Sequence, residues 1–379
     1  MKTLVISSLL LTTALTISSC KKGCTDPTAI NYDEKAKKDN NTCQYDEGYT
    51  IPTTYSFMDV SGNSTVSYSG QTERLDQLSE MVVLMKTGTS TVLDAQVLKD
   101  MFSNENGNGN GNFSFTSTKQ LKDKCFTIDQ GLFETFMDDL AAASVDNANT
   151  ASDGVAGTLS SGTSTYLFDE NGVEHVQVIE KGLMGAVFFN QALNVYFGSG
   201  KMDVDNTTAV DPLIGKYYTT MEHHFDEAFG YFGVDTNFPT VVPNRFWGKY
   251  CNNQDVLLNS NADMMNCFLK GRAAITGAEL ADRDQAILEI RREWEEISAY
   301  QAMAYIDGAI ANFGTDDAKF LHELSEAYAF AWNLRYAPVE TRRMDPTAHA
   351  ELMAQFPTNF WSITLADLNN IKNTIDSNY

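Results

Sequence analysis

The sequence predicts an all-α protein, a multi-helix bundle with long irregular loops that follows an export signal and a short tether. Three observations predict this fold class. Apolar residues recur at helical spacing from about residue 72 to the end of the chain. Segments in which apolar and polar residues alternate are nearly absent. Hydrophobic residues make up 43% and aromatic residues 11% of the chain, which is ample for a large core.

The N-terminus has the form of a secretory signal. Lys2 supplies positive charge, and residues 4–17 form an apolar run that is too short for an ordinary membrane span. The run ends in ISSC, which resembles a bacterial lipobox, and in such signals the cysteine after the cleavage point carries the lipid. We therefore expect a signal peptide at 1–19 and lipidation of Cys20. Lys21 and Lys22 follow, where an aspartate would be expected on a lipoprotein retained at the inner membrane, and this favours an anchor at the outer membrane. The sequence does not decide between the periplasmic and the cell-surface side of that membrane. The alternative interpretation is a plain signal peptide without lipidation.

The tether, residues 20–50, contains two cysteines that bracket a polar stretch. An extracytoplasmic location permits a disulfide between Cys24 and Cys43. The segment resembles a short Cys-bracketed module of Bacteroidota surface proteins. It is either a stapled spacer or a calcium site, because carboxylate and amide oxygens are calcium ligands. The oxygen-bearing candidates are Asp26, Asn31, Asp33, Asp39 and Asn40.

The helical domain, residues 51–379, begins with a helix that Thr72 is expected to cap and Gly88 to end. A later helix is expected to begin at Pro212, with Asp211 as its cap. Polar, Gly-rich composition predicts loops at 104–115 and 150–165. The predicted helices lie at about 72–87, 91–103, 129–143, 173–197, 212–232, 281–312, 315–336 and 359–376.

The net negative charge of the chain indicates which partners it can bind. The formal net charge is −23, so the protein should repel nucleic acid, and no nucleic-acid partner is expected. Three further cysteines, Cys125, Cys251 and Cys267, make an odd set, so the sequence leaves open whether two of them pair.

Two of the five histidines stand side by side in MEHHFDEAFGYFG, residues 221–233. At about 100° per residue, Phe225 lies at the centre of an aromatic stripe and His224 flanks that stripe. His223 and Glu227 lie on the far face, about 40° apart. The residues are either a solvated helix face or, if a second helix covers that face, part of a ligand or cation site.

The stretch from His224 is similar to the His-x-x-Glu helix motif of imelysin-like proteins, with His224 and Glu227 at the matching positions. Glu222 stands where that family has a glycine, and the segment after Glu227 is one residue longer. The resemblance implies an all-α surface or periplasmic protein linked to iron uptake.

Across about residues 50–379 the chain resembles the Bacteroidota lipoproteins that carry domain of unknown function 4856. The segments that carry the resemblance are YSFMDVSGNSTVSYSGQTERLDQLSEM, HHFDEAFGYFGV and REWEEISAYQAMAYI. It implies partnership with imelysin-like proteins and outer-membrane receptors in iron acquisition.

Glu293 and Glu296 recur at helical spacing in REWEEISAYQ. They form either a solvated acidic face or further ligands for a site around His224. His322 and Glu326 make another i, i+4 pair with the same two interpretations.

Three functions follow from these patterns. The first is a lipid-anchored binding protein that captures or hands over iron or an iron-bearing ligand, with iron or another divalent cation as the implied ion. The second is a metal-dependent surface hydrolase or peptidase of imelysin-like type. The third is a structural accessory of a receptor complex. No hydrolase elbow, phosphate-binding loop or paired-Cys zinc site is present in the sequence, so more weight falls on binding than on catalysis.

Overall fold

The structure is a computed structural model that describes residues 22–27, 29, 31–43 and 48–379. The chain divides into two compact units, 1–50 and 51–379, which we describe separately. The predicted signal peptide and Cys20 lie outside the described residues. Among the residues described, no helix is long and apolar enough to cross a membrane.

The described part of the first unit consists of short turns around one disulfide. Cys24 and Cys43 form this bond, with their Cα atoms 4.7 Å apart. Asp39 accepts hydrogen bonds from the Asn41 backbone N–H at 2.8 Å and from the Thr25 hydroxyl at 3.2 Å. These Asp39 oxygens therefore stabilise the turns of the loop itself.

The second unit is all-α, as predicted, and the structure is 58% helical. Twelve α-helices occur in the described residues. They are α1 Ser69–Lys86, α2 Ala95–Phe102, α3 Gln130–Val145, α4 His175–Leu183, α5 Ser199–Met202, α6 Thr220–Phe232, α7 Phe246–Leu258, α8 Ser260–Thr276, α9 Leu280–Asn312, α10 Asp317–Asn333, α11 Pro346–Met353 and α12 Leu365–Asp376.

Two small antiparallel hairpins occur where the sequence predicts a loop and the start of a helix. The first joins β1 Gly157–Ser161 to β2 Ser164–Phe168, where we expected a loop up to 165. Gly162 takes a positive φ of 59° in the turn, which allows this tight connection. Strand β2 contains Thr, Tyr, Leu and Phe, residue types that favour strands.

The second hairpin joins β3 Ala209–Asp211 to β4 Lys216–Thr219, so the prediction of a helix from Pro212 is wrong. Asp211 does act as a cap, but of a single 3₁₀ turn that ends at Gly215, whose φ is 78°. Helix α6 begins only at Thr220. The Thr219 hydroxyl accepts from the backbone N–H of Glu222, and the Glu222 carboxylate accepts from that of Thr219.

The first helix also begins earlier than expected. Tyr68 is its N-cap residue, so Thr72 lies inside α1 and does not cap it. The helix passes into a 3₁₀ turn at Thr87–Thr89. The Asn-Gly stretch that follows α2 forms two further 3₁₀ turns, in which Asn106 and Asn110 have positive φ. Asn and Gly adopt this conformation at little cost, so the repeats build a defined loop.

The core is centred on α9, which packs against α8 and α10. Trp294 of α9 is fully buried among aromatic rings. Its ring centroid lies 4.9 Å from that of Phe232, 5.7 Å from that of Phe189 and 5.7 Å from that of Trp247. Large aromatic side chains bury about 150–250 Å² each, so this cluster supplies much of the apolar burial.

Helix α4 continues beyond Leu183 through two π-helical stretches, Met184–Phe189 and Gln191–Tyr196. The predicted helix at about 173–197 is therefore present but is not α-helical throughout. Its small residues allow close packing, as expected. Gly185 faces Asn333 of α10, and a Cβ at Gly185 would overlap the Asn333 side chain.

A segment without helix, residues 52–68, folds back on itself between Met58 and Ser64 and is held against α6 and α8. The Tyr55 ring stacks on Phe229 with centroids 3.7 Å apart, and its hydroxyl donates to Asp226 at 2.9 Å. Arg272 of α8 donates to Asp226 at 2.9 Å and to the Thr65 carbonyl at 3.1 Å. These buried polar contacts fix the segment beside the histidine-bearing helix.

Candidate functional site

The His224–Glu227 pair lies where α6 meets α1. His224 Nδ1 lies 3.0 Å from Glu227 Oε2, and Gln71 of α1 donates to Glu227 Oε1 at 3.0 Å. The two side chains are only 13% and 16% exposed. The pair is thus held between two helices, and both Glu227 oxygens already accept hydrogen bonds.

His223 lies beside this pair on the outer side of α6. Its Nδ1 donates to the Ser67 carbonyl at 2.9 Å, and its ring stacks on Tyr218 with centroids 4.6 Å apart. Its Nε2 lies 3.9 Å from Glu227 Oε2. The adjacency of His223 and Glu227 that the helical wheel predicts is therefore present.

The charges of this group follow from burial and from its hydrogen bonds. Burial acts to raise the pKa of Glu227, but the His224 hydrogen bond and the nearby His223 outweigh it, so the pKa of Glu227 is lowered. Burial lowers the pKa of His223. The group at neutral pH is therefore an ionised carboxylate beside a neutral His223.

Glu293 and Glu296 make their contacts elsewhere in the fold. Glu296 pairs with Arg343. Burial, reinforced by the charge of Asp263, raises the pKa of Glu293 to about 7. In the contacts of the described residues, neither acid joins His224. The described residues contain no group of three or more His, Cys, Asp or Glu side chains arranged to hold a metal ion.

A second histidine centre lies on α10. His322 Nδ1 lies 2.6 Å from Glu174 Oε2, and its Nε2 lies 3.3 Å from Glu326 Oε2. The ring stacks on Tyr166 of β2 with centroids 4.3 Å apart. Burial acts to lower the pKa of His322, but the Glu174 hydrogen bond and the two carboxylate charges raise it overall.

Lys181 of α4 extends this centre inward. Its side chain is 4% exposed, and its Nζ lies 3.0 Å from Glu180 and 3.3 Å from Glu326. Burial alone would lower the pKa of Lys181, but these two carboxylates raise it. Glu326 therefore bridges a buried ammonium and the imidazole of His322.

These groups line a polar pocket of about 500 Å³ between α1, α4, α7, α9 and α10, which we call the lysine pocket. Five cationic and three acidic side chains line it, in addition to His322. The cationic residues are Lys86, Lys181, Arg245, Lys249 and Lys319, and the acidic residues are Glu180, Glu323 and Glu326. A net positive lining is unusual in a chain of net charge −23.

The cations of the lysine pocket differ in how far they are neutralised. Lys319 pairs with Glu323 at 2.6 Å, and Arg245 pairs with Asp76 at 2.7 Å. Lys249 has no carboxylate partner among the described residues, and its Nζ lies 5.1 Å from the centroid of the Tyr250 ring. Burial and the charge of Lys181 lower the pKa of Lys249. Its ammonium is thus a half-buried positive charge with no carboxylate of the described residues at ion-pair distance, although the charges of Glu326 and Glu180 act on it from farther away.

Two further features mark the pocket wall. The Gln177 side-chain oxygen is buried and accepts no hydrogen bond from the described residues. Phe246 has a φ of 49°, which is rare for a bulky residue. Such strain persists only where surrounding packing enforces it, and it is often found at functional sites.

Residues 52–379 match the family described as Domain of unknown function (DUF4856). The chain belongs to this family. No curated protein matches the chain, and no solved structure matches it either. The family match covers the whole helical unit, so the histidine pair and the lysine pocket both lie within the DUF4856 domain.

Sequence reasoning found the i, i+4 relation of His322 and Glu326 but not the lysine pocket. His322 and Glu174 are separated by 148 positions, and Lys181 and Lys249 come from two further helices. Single lysines carry no local pattern, so only the packing of the DUF4856 domain reveals their convergence.

Proposed function

We propose that this chain is a lipid-anchored bacterial binding protein that acts outside the cytoplasm, and that its lysine pocket takes a small anionic ligand. The single observation that carries the binding proposal is the half-buried Lys249 ammonium, which has no carboxylate at ion-pair distance among the described residues. A partly buried charge gains more from an oppositely charged ligand than an exposed one, because water screens it less.

The size and polarity of the pocket support a small ligand. A volume of about 500 Å³ falls within the range of ordinary small-molecule sites. Four lysines and one arginine line the pocket, so a ligand that carries carboxylates matches the lining.

An anionic ligand is compatible with the role in iron acquisition that the family resemblances imply. Ferric iron in neutral solution is held by chelators, and many chelates with polycarboxylates carry net negative charge. We propose an anionic ferric chelate as the ligand class, with handover to an outer-membrane receptor or an imelysin-like partner. Handover of such a chelate goes one step beyond the iron acquisition that the family resemblances imply.

Calorimetric titration with ferric citrate, citrate alone and the uncharged sugar glucose tests the ligand class. Wild-type protein should bind the anions and not glucose, and Lys249→Gln should weaken binding about tenfold, equivalent to about 1.4 kcal/mol. Lys99→Gln is the matched control, because Lys99 pairs with Asp138 on another part of the surface. Equal affinity in both variants, or no anion binding by wild type, would refute the pocket assignment.

The anchor requires a separate test. We propose that Cys20 carries the lipid, because an apolar run that is too short to span precedes it. The variant Cys20→Ala should leave membrane pellets and appear in the soluble fraction. Unchanged membrane association would contradict lipidation at this position.

The His224–Glu227 pair is proposed as a second and weaker binding site, which would take a cation instead of an anion. Two side chains do not hold a transition metal tightly, so any such site needs additional ligands. Titration with ferrous, ferric and zinc ions and with haem, in wild type, His224→Ala and Glu227→Ala, tests it. Equal binding in all three proteins would leave the pair as a contact between α6 and α1.

A further inference from the structure

A second pocket, of about 600 Å³, lies between the C-terminal end of α10 and α11. We call it the tryptophan pocket. Its lining differs from that of the lysine pocket because aromatic and apolar side chains dominate it and no carboxylate is among them. The lining residues are Phe126, Trp332, Arg335, Arg342, Met344, Pro346, His349, Ala350 and Met353.

The walls of the tryptophan pocket favour a flat, apolar ligand body. Phe126 and Trp332 are half-buried and offer aromatic surface. Met353 is half-buried and supplies flexible, polarisable surface that adapts to ring systems, whereas Met344 is buried behind the wall. Aromatic rings gain binding energy from stacking beyond the area that they bury.

Two guanidinium groups supply the charge of this pocket. Arg335 lies with its guanidinium carbon 4.6 Å from the centroid of the Trp332 ring, and its Nη1 lies 3.4 Å from Asp129. Arg342 differs because it has no ion pair among the described residues. Its Nε is buried and has no hydrogen-bond partner there. Arg342 is half-buried and lines the pocket, so the charged guanidinium group would gain a charge-assisted hydrogen bond from an oxyanion that enters.

His349 contributes no positive charge to the pocket at neutral pH. Its Nε2 lies 3.1 Å from the Ala331 carbonyl, and burial lowers its pKa. The two arginines therefore define the electrostatics, and Arg335 is already partly neutralised by Asp129. Arg342 is left as the anion-binding group beside an aromatic wall.

We propose that the tryptophan pocket is a binding site for an aromatic organic anion, with the ring against Trp332 and a carboxylate on Arg342. This site is separate from the lysine pocket, whose lining is polar and whose ligand we expect to be a hydrophilic anion. The proposal does not depend on the function of the lysine pocket, because the two pockets share no lining residue.

The test uses 2-naphthoate and its uncharged amide, 2-naphthamide, as matched probes in calorimetry. Wild-type protein should bind 2-naphthoate at least tenfold more tightly than 2-naphthamide. Arg342→Gln should remove that preference while leaving the weak binding of 2-naphthamide unchanged. Arg343→Gln is the matched control, because the neighbouring Arg343 pairs with Glu296 and does not line the pocket.

Trp332 provides a second readout that does not rely on the arginine. Binding should quench the fluorescence of wild type, and Trp332→Phe should retain binding while losing most of the quenching. Trp332→Leu should weaken binding of both probes. The proposal is overturned if 2-naphthoate does not bind, or if folded Arg342→Gln binds it as tightly as Arg343→Gln does.

Discussion

Replacing Arg272 by methionine tests whether the buried polar network fixes the 52–68 segment. Arg272 is fully buried and donates to Asp226 at 2.9 Å, to Glu222 at 2.7 Å and to the Thr65 carbonyl at 3.1 Å. Methionine keeps an unbranched chain in the same place but supplies no donor. Asp226, which is itself fully buried, is then left without its cation.

The expected cost can be estimated from these contacts. Removing one partner of a buried ion pair typically destabilises a protein by about 3–5 kcal/mol, because the remaining charge is uncompensated. The Tyr55 hydroxyl and the Ser67 N–H still donate to Asp226, which places the value toward the lower end of that range. We expect a loss of about 3 kcal/mol, a large fraction of a typical stability of about 5–15 kcal/mol.

Urea denaturation followed by circular dichroism and by tryptophan fluorescence measures this loss, provided that the two transitions coincide. The double variant Arg272→Met, Asp226→Asn should recover at least about 1 kcal/mol, because the buried negative charge is gone. Arg291→Met is the control, because Arg291 on α9 donates to backbone carbonyls and forms no ion pair within the described part of the chain. A loss below about 1 kcal/mol for Arg272→Met, or strictly additive effects in the double variant, would refute the reasoning.

Three further outcomes are expected. Burial raises the pKa of the Glu293 carboxyl group to about 7. The native state therefore binds the carboxyl proton more tightly than the unfolded state does, and the free energy of unfolding falls as pH rises from about 4.5 to 7. Glu293→Gln should therefore be more stable than wild type at pH 8, by about 1 kcal/mol once solvent screening is taken into account. At pH 5 the two proteins should be about equally stable, and urea denaturation midpoints measure both differences. The pKa of His322 is raised by Glu174, so its stabilising contribution is complete below about pH 6.5 and is lost as pH rises through the folded-state pKa. The stability gap between wild type and His322→Gln should be wider at pH 6 than at pH 8, and a gap that does not change with pH would contradict the charged pairing. Gly185→Ala should destabilise by about 3 kcal/mol through its clash with Asn333, and a melting temperature unchanged by the substitution would show that α4 and α10 can separate there.

Local sequence patterns predicted the long helices because strong periodicity survives tertiary packing. The predicted helix at 281–312 coincides with α9, and that at 315–336 contains α10 and the 3₁₀ turn after it. Helices α7 and α8 were missed. They are joined through Asn259 with a φ of 59°, and the Asn residues within both helices interrupt the apolar stripe. The hairpin β3–β4 was missed because a capped Pro212 begins a 3₁₀ turn as readily as a helix.

For the candidate sites, the sequence predicted contacts within one helix but not contacts between elements. The helical wheel placed His223 and Glu227 correctly because both belong to one helix. It could not show that Gln71 of α1 would satisfy Glu227, since that contact spans 156 positions. The same limit explains why Glu293 and Glu296 were considered near His224. Spacing within α9 says nothing about which neighbouring element each acid meets.

The π-helical stretches after α4 have a consequence for comparing members of the family by alignment. A π turn holds about one residue more than an α turn, so each stretch behaves as an insertion that is absorbed locally. A relative that is one or two residues shorter between 184 and 196 could regain α geometry while Tyr196 keeps its face toward His224. A gap in α9 would instead turn every later side chain by about 100° for each residue removed. Alignments should therefore place short gaps in the first region and resist them in the second.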